Sequence, residues 1–423
     1  MLAKITALVL GLVQLLLASA GVPLRPTHIE AQSKPVNVFV AGLMGFGEMT
    51  AVNFVVPYWG VGSNLPKMLE EEGYESYAAS VGPLSSAWDR ACELYAQLCG
   101  GTVDYGAAHA EKCGHARFGR TYEKPLFAGW SAARPINLWG HSFGGPTVDL
   151  FTQLCAQGSA EERAATPAAE RSPLFDGGLI DRIHSVTALA APFNGTTADV
   201  AMRGDDAWSY TGVLAIFAAL GSAKHVNGIY DVQLDQFGLS LPPGKGDGKM
   251  PSLQQITAFA QSGDNALSDL SIAGARRIND QVQTQPGVYY FSYNACITEP
   301  QPLLRDDKQL PPLREWKDPV LALFAAQMGL RIGKTSLAET GDDPLWLEND
   351  GAVPVASARY PFGEPHLAFA PGAKPAPGIW NVMPTLYGKD HGYFCGADIN
   401  NNAPEDLKAF YLAHMALLEQ TYN

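Results

Sequence analysis

The sequence predicts an α/β fold, with a mostly parallel central sheet covered by helices on both faces. Short β-branched runs alternate with helix-length segments along most of the chain. Forty-three glycines and 30 prolines among 423 residues punctuate those segments. A composition of 47% hydrophobic and 17% charged residues can fill a large core, which excludes a disordered chain, a coiled coil and a collagen.

The N-terminus comes first. Lys4 precedes an apolar stretch from Ile5 to Leu17 and then Ala18-Ser19-Ala20, the layout of a secretory signal cleaved after Ala20. As a helix that stretch rises only about 20 Å, against a hydrocarbon core of about 30 Å. Residues 1–20 are therefore expected to be a signal peptide and 21–35 a flexible segment. No later stretch is long and apolar enough to span a membrane, so the expected product is secreted and extracellular.

Val36 to Ala41 reads as a buried strand that delivers a loop containing Gly42, Gly45 and Gly47. Leu65 to Glu72 reads as a helix closed by Gly73, and Tyr74 to Ser80 as the next strand. Ser85-Ser86 cap a helix from Ala87 to Leu98, which Gly100-Gly101 stops. Between Gly101 and Pro135 the pattern breaks into an irregular, Gly- and His-bearing insertion. Strands at Ile136 to Trp139, Ile183 to Ala190 and Val288 to Tyr293, with helices at Thr147 to Gln157 and Pro404 to Glu419, complete the alternation. With 29 basic against 42 acidic residues the net charge is −13, which lacks the basic footprint of phosphate-backbone binding and excludes nucleic acid as an expected partner.

The strand ending at Trp139 runs directly into Gly140-His141-Ser142-Phe143-Gly144, and a helix follows. In that strand–turn–helix context G-x-S-x-G marks a nucleophilic serine: the glycines let the helix pack close to the strand while Ser142 stands at the apex. The Phe143 N–H then sits at a helix N-terminus, where developing negative charge is stabilised. The hydroxyl needs a base and the base an orienting carboxylate, in the chain order Ser, acid, His. His391, in the polar loop Lys389-Asp390-His391-Gly392, is preferred over His366. His184, in a strand, and His414, in a helix, read as packed or surface residues. Asp350, in the turn Glu348-Asn349-Asp350-Gly351, is preferred over Asp342 and Asp343.

Longer blocks carry a family resemblance: Gly82-Pro83-Leu84-Ser85-Ser86, Trp88-Asp89-Arg90-Ala91-Cys92-Glu93, and Gly101-Thr102-Val103-Asp104-Tyr105-Gly106-Ala107-Ala108-His109. Gly114-His115-Ala116-Arg117-Phe118-Gly119-Arg120-Thr121-Tyr122, Leu234-Asp235-Gln236 and Trp346-Leu347-Glu348-Asn349-Asp350-Gly351 continue it. From about Val36 onward the chain resembles the zinc-containing bacterial lipases of the thermoalkalophilic Bacillus and staphylococcal type. The resemblance implies an α/β-hydrolase fold in one domain, 36–423, with a zinc-binding insertion at 101–135 and a helical lid at about 198–225. It implies Ser142, His391 and Asp350 as the triad, the N–H groups of Leu43 and Phe143 as the oxyanion hole, and Asp89, His109, His115 and Asp235 as ligands of a structural zinc. Cys113 is a rival ligand. The family's His-Gly-Phe is here Ala41-Gly42-Leu43, and its glutamine is here Phe143. Because backbone groups do the work, the chemistry is expected to survive.

The family's calcium site is incomplete: Tyr393 and Ile399 stand where a Glu and a Pro are usual, and only Asp398 matches. Calcium takes six to eight oxygens. A disulfide between Cys296 and Cys395 is the expected replacement clamp. Cys92 is expected to be a free buried thiol, with Cys99, Cys113 and Cys155 unassigned. Asn194-Gly195-Thr196 is a glycosylation sequon that reads equally as a structural turn. The function expected is hydrolysis of medium- to long-chain acylglycerols at a lipid–water interface. Acyl transfer through the same triad, and a catalytically weak lipid-binding protein, are the alternatives.

Overall fold

A computed structural model describes residues 34–198, 230–240, 251–303, 308–331, 340–341, 343–398 and 403–422. The expected signal peptide and, apart from Ala198, the expected lid lie outside the described residues. The strands are β1 (Val36–Val40), β2 (Ser76–Ala79), β3 (Gly101–Asp104), β4 (Phe118–Tyr122), β5 (Ile136–His141), β6 (Ile183–Leu189), β7 (Tyr289–Tyr293), β8 (His366–Ala368) and β9 (Trp380–Val382), besides shorter pairs. Seven of them form the central sheet in the order β8-β9-β7-β6-β5-β1-β2. Every neighbouring pair is parallel.

Parallel strands covered on both faces are buried throughout, and β1 and β5 are buried at every position. Alternate residues feed two separate cores. Val36, Val38, Val40, Ile136 and Leu138 face one, together with Phe143 and Phe151. Phe39 and Trp139 face the other, stacked at 5.4 Å, and Tyr411 packs on both rings.

Five helices matter most to the site: α1 (Leu65–Glu71), α2 (Ala87–Cys99), α3 (Ala107–Cys113), α4 (Gly144–Gln157) and α5 (Pro404–Glu419). Asn64 and Ser86 cap α1 and α2 by accepting the N–H groups of Lys67 and Asp89, as helix-starting side chains do. The insertion is not irregular as expected. Its β3 and β4 pair antiparallel, with α3 between them. Strands β8 and β9 escape the sequence pattern because each has three residues, and pairing rather than propensity recruits them. The Asn381 side chain, for instance, donates to the Tyr290 carbonyl on β7 at 2.9 Å.

The strand order reverses at β1, which has β2 on one side and β5 on the other. Loops leaving the carboxyl ends of β1 and β5 therefore diverge, and ligands of open α/β sheets usually bind at such a point. Gly42 and Ser142 stand on those two loops.

Candidate active site

The turn after β5 holds Ser142 at φ +54°, a left-handed conformation that costs a residue with a side chain about 1–3 kcal/mol. The Ser142 N–H donates to the Leu189 carbonyl at 2.8 Å, and its carbonyl accepts from the Gly145 N–H at 2.9 Å. Neighbouring glycines make that tightness feasible. A Cβ on Gly144 would lie 2.2 Å from the Val40 carbonyl oxygen, and one on Gly42 would lie 2.6 Å from the Ser142 Cβ.

His391 and Asp350 are in contact. His391 Nδ1 is 2.9 Å from Asp350 Oδ2, and the His391 N–H donates to the Asp350 carbonyl at 2.9 Å. Asp350 is buried, and its Oδ1 accepts the N–H groups of Ala352 and Val353 at 2.9 and 2.7 Å. Burial alone would lower the pKa of the His391 imidazole. The charge and hydrogen bond of Asp350, with the charge of Asp390, outweigh burial and raise it above the ordinary histidine value. The rivals have other partners. His366 is exposed and stacks on Tyr360, His184 bonds Thr421, and His414 is buried between Thr187 and Tyr293. Asp343 caps the turn at Leu345, while Asp342 lies outside the described residues.

His141, next to Ser142, joins the three loops. Its Nε2 is 2.9 Å from the His391 carbonyl, which can only accept, so Nε2 carries the proton. Nδ1 then accepts from the Tyr58 hydroxyl at 2.7 Å, and Tyr58 Oη in turn accepts the Gly42 N–H at 3.0 Å. Burial, with the nearby His391, lowers the His141 pKa to about 3, so the ring stays neutral. Among the described residues the N–H groups of Leu43 and Phe143 have no hydrogen-bond acceptor. Both therefore keep a donor to offer to a substrate.

A second cluster lies where the insertion meets α2 and the loop before residue 266. His109 Nε2 is 3.2 Å from Asp89 Oδ1 and 3.3 Å from Asp264 Oδ2. His115 Nε2 is 3.8 and 3.1 Å from the same two oxygens. All four atoms are buried without a hydrogen-bond partner among the described residues. Four orphaned donors facing one another fit a metal, because tetrahedral bonds of about 2.0–2.1 Å separate ligand atoms by about 3.3 Å. The His115 Nδ1–H donates to the Ala116 carbonyl at 2.9 Å, leaving the Nε2 lone pair for the ion. The Cys113 thiol lies 3.9 Å from the opposite nitrogen of His109, Nδ1, which makes Asp89 the better fourth donor although Cys113 belongs to the same compact group.

Asp235, expected as a ligand, is not among the four, and Asp264 takes its place. The Asp235 Oδ2 is held by Arg120 Nε and Nη2 at 3.0 and 2.7 Å, and its Oδ1 accepts from the Ser240 hydroxyl at 2.6 Å. Its neighbour Gln236 reaches the cluster instead, donating to Asp89 Oδ2 at 2.8 Å. Asp264 was legible only as one more loop acid ahead of a short helix, Ala266–Leu270.

One further expectation is corrected. Cys296 and Cys395 form no disulfide; their thiols are directed to Thr298 and to the Gly392 carbonyl. The other cysteines are free as well. Of the two readings of the Asn194 sequon, the structural one fits its buried side chain. Nδ2 donates to the Tyr360 carbonyl, and Oδ1 accepts from Asn279 and from the Phe362 N–H, each at 2.9 Å. At the calcium position Asp398 is buried, with Oδ2 accepting the Asp390 N–H at 3.2 Å, and Tyr393 packs among Phe394 and Phe410. That donor set falls short of calcium's needs.

Residues 32–421 match the family model described as "Lipase-like, C-terminal domain". The chain is 33% identical over 382 residues to a Staphylococcus hyicus lipase, covering 88% of this chain and 56% of that one. It thus spans about half the length of the curated relatives it matches. Among solved structures it is similar to the crystal structure of Staphylococcus hyicus lipase, with TM-score 0.78 and 32% identity, covering 95% of this chain and 99% of that one. It is also similar to EstA from Clostridium botulinum, with TM-score 0.75 and 36% identity, covering 91% and 87% of the two chains. These likenesses agree with an α/β-hydrolase fold.

Proposed function

Because the chain belongs to the lipase-like C-terminal domain family, we propose that it is a secreted carboxylic ester hydrolase acting on medium- to long-chain acylglycerols. The observation that carries the reading is the buried Asp350–His391 pair, tied through His141 to the strained Ser142 turn. In this reading Ser142 attacks the ester carbonyl while His391 Nε2 takes the hydroxyl proton. Asp350 holds the imidazole in the tautomer that leaves Nε2 free. The negative oxygen of the tetrahedral intermediate rests on the N–H groups of Leu43 and Phe143. His391 returns the proton to the departing alcohol, and water then releases the fatty acid from the acyl-enzyme by the same steps in reverse order.

An apolar rim supports a lipid substrate. Met44 directly follows Leu43 and is 47% exposed, and Met49 and Phe54 are 59% and 72% exposed. Exposed apolar patches of this kind mark contact surfaces. In the same reading residues 198–225 serve as an amphipathic cover over the site. Asp89, His109, His115 and Asp264 would hold a zinc ion, which with four protein ligands has no open position and serves structure. These ligands join α2, the insertion and the loop before residue 266.

The test is release of fatty acid from emulsified triacylglycerols of graded chain length, with Ser142→Ala as control. Release by the wild type that the substitution abolishes is expected. Lipid binding without release would move the reading to a carrier, and ester formation with an added alcohol in preference to release would move it to an acyltransferase.

A further inference from the structure

We propose that Arg90 and Tyr58 are positioning residues that clamp the loop after β1 and so aim the Leu43 N–H at the oxyanion; the proposal rests on the hydrolase reading above. A trans peptide points its C=O and its N–H in opposite directions, so holding one end sets the other. The Ala41–Gly42 peptide is held at both ends: its carbonyl accepts from Arg90 Nη2, and its N–H donates to Tyr58 Oη at 3.0 Å. In the next peptide the Gly42 carbonyl accepts from the Gly45 N–H at 3.1 Å and faces Arg90 Nη1 at 3.4 Å, an orientation that turns the Leu43 N–H away from the guanidinium.

Arg90 is itself fixed. Nη1 donates to the Gly82 carbonyl at 2.9 Å and Nε to the Thr147 hydroxyl on α4 at 3.0 Å. Its guanidinium carbon lies 5.1 Å from the centre of the Phe143 ring, so one buried cation touches Phe143 and the carbonyl of the Gly42–Leu43 peptide. Its hydrogen bonds to described residues all end on neutral acceptors. A buried charge without a bonded carboxylate costs several kcal/mol in desolvation, a cost that a purely apolar packing residue would avoid. What the charge provides here is a rigid fork on backbone carbonyls. Tyr58 extends the clamp through His141 to the His391 carbonyl, so the oxyanion loop and the base share one register.

The experiment compares wild type, Tyr58→Phe and Arg90→Lys on a soluble p-nitrophenyl ester, and measures inhibition by an aryl boronic acid, whose adduct with the serine mimics the tetrahedral intermediate. Bound zinc and Tm are recorded for each protein. A misaimed donor is expected to lower kcat about 10–100-fold, with KM changed by less than about two-fold and boronate affinity falling in parallel with kcat. Tyr58→Phe deletes a single oxygen and decides the matter if Arg90→Lys does not fold. Full kcat in folded variants, or reduced kcat with unchanged boronate affinity, would overturn the clamp. A wild type without turnover would overturn the hydrolase reading and the clamp with it, whereas an active wild type with unaffected variants overturns the clamp alone.

Discussion

His391 is held twice by Asp350, through Nδ1 to Oδ2 and through the backbone N–H to the Asp350 carbonyl, both at 2.9 Å. Two contacts from one residue fix the position of the imidazole as well as its tautomer. An asparagine at 350 keeps the shape but can present an N–H to Nδ1, which stabilises the wrong tautomer. Asp350→Asn is therefore expected to lower kcat about 10⁴-fold with little change in KM, measured by initial rates on a soluble ester. A loss below about ten-fold would remove Asp350 from the triad.

The pH dependence follows from the same pair. The base works neutral, and its pKa is raised above the ordinary histidine value, so kcat/KM should fall as pH drops through that raised pKa. Asp390 contributes to the rise, and burial with the charge of Asp398 pushes its own carboxyl up to about 7. Asp390→Asn removes a negative charge that favours the imidazolium. The acid limb of the kcat/KM profile should move to lower pH, and a shift to higher pH would contradict the assignment.

The proposed metal ligands can be tested by paired substitutions. Asp264→Ala should lose bound zinc, measured by elemental analysis, together with a lowered Tm, whereas Asp235→Ala should retain the metal because its carboxylate is engaged by Arg120. Retention by the first variant and loss by the second would restore Asp235 as a ligand. A strong chelator is expected to lower Tm in the wild type and to leave Asp264→Ala unmoved.

Asn194 supplies side-chain hydrogen bonds to Tyr360, Phe362 and Asn279 from a buried position. At about 1 kcal/mol each, Asn194→Ala should destabilise the fold by about 2–4 kcal/mol in urea unfolding. Intact mass of protein made in a glycosylating host should show no glycan at this site. A glycan on active, folded protein would contradict the burial.

The strands and helices nearest the site were legible because their signals are local. β1, β5 and α4 announce themselves within a few residues, as an apolar run, a G-x-S-x-G turn and a helix. β8 and β9 were not, since strands of three residues carry no periodicity and exist through their neighbours. The Cys296–Cys395 pairing failed, and the sequon at Asn194 stayed open between its two readings, for a related reason: a thiol's partner and an asparagine's exposure depend on the fold and are not written in the residue type.

Sequence by itself determined the α/β class and the serine turn, and it nominated a histidine and an acid, His391 and Asp350, that the fold brings into contact. Only the tertiary structure decided that Asp264 rather than Asp235 faces His109 and His115, and that Arg90 and Tyr58 grip the loop after β1. The physical reason is that a carboxylate or guanidinium has many acceptable partners. Which one it takes depends on what the fold brings within about 3 Å once water is excluded, as Arg120 does for Asp235 and the Ala41 carbonyl does for Arg90.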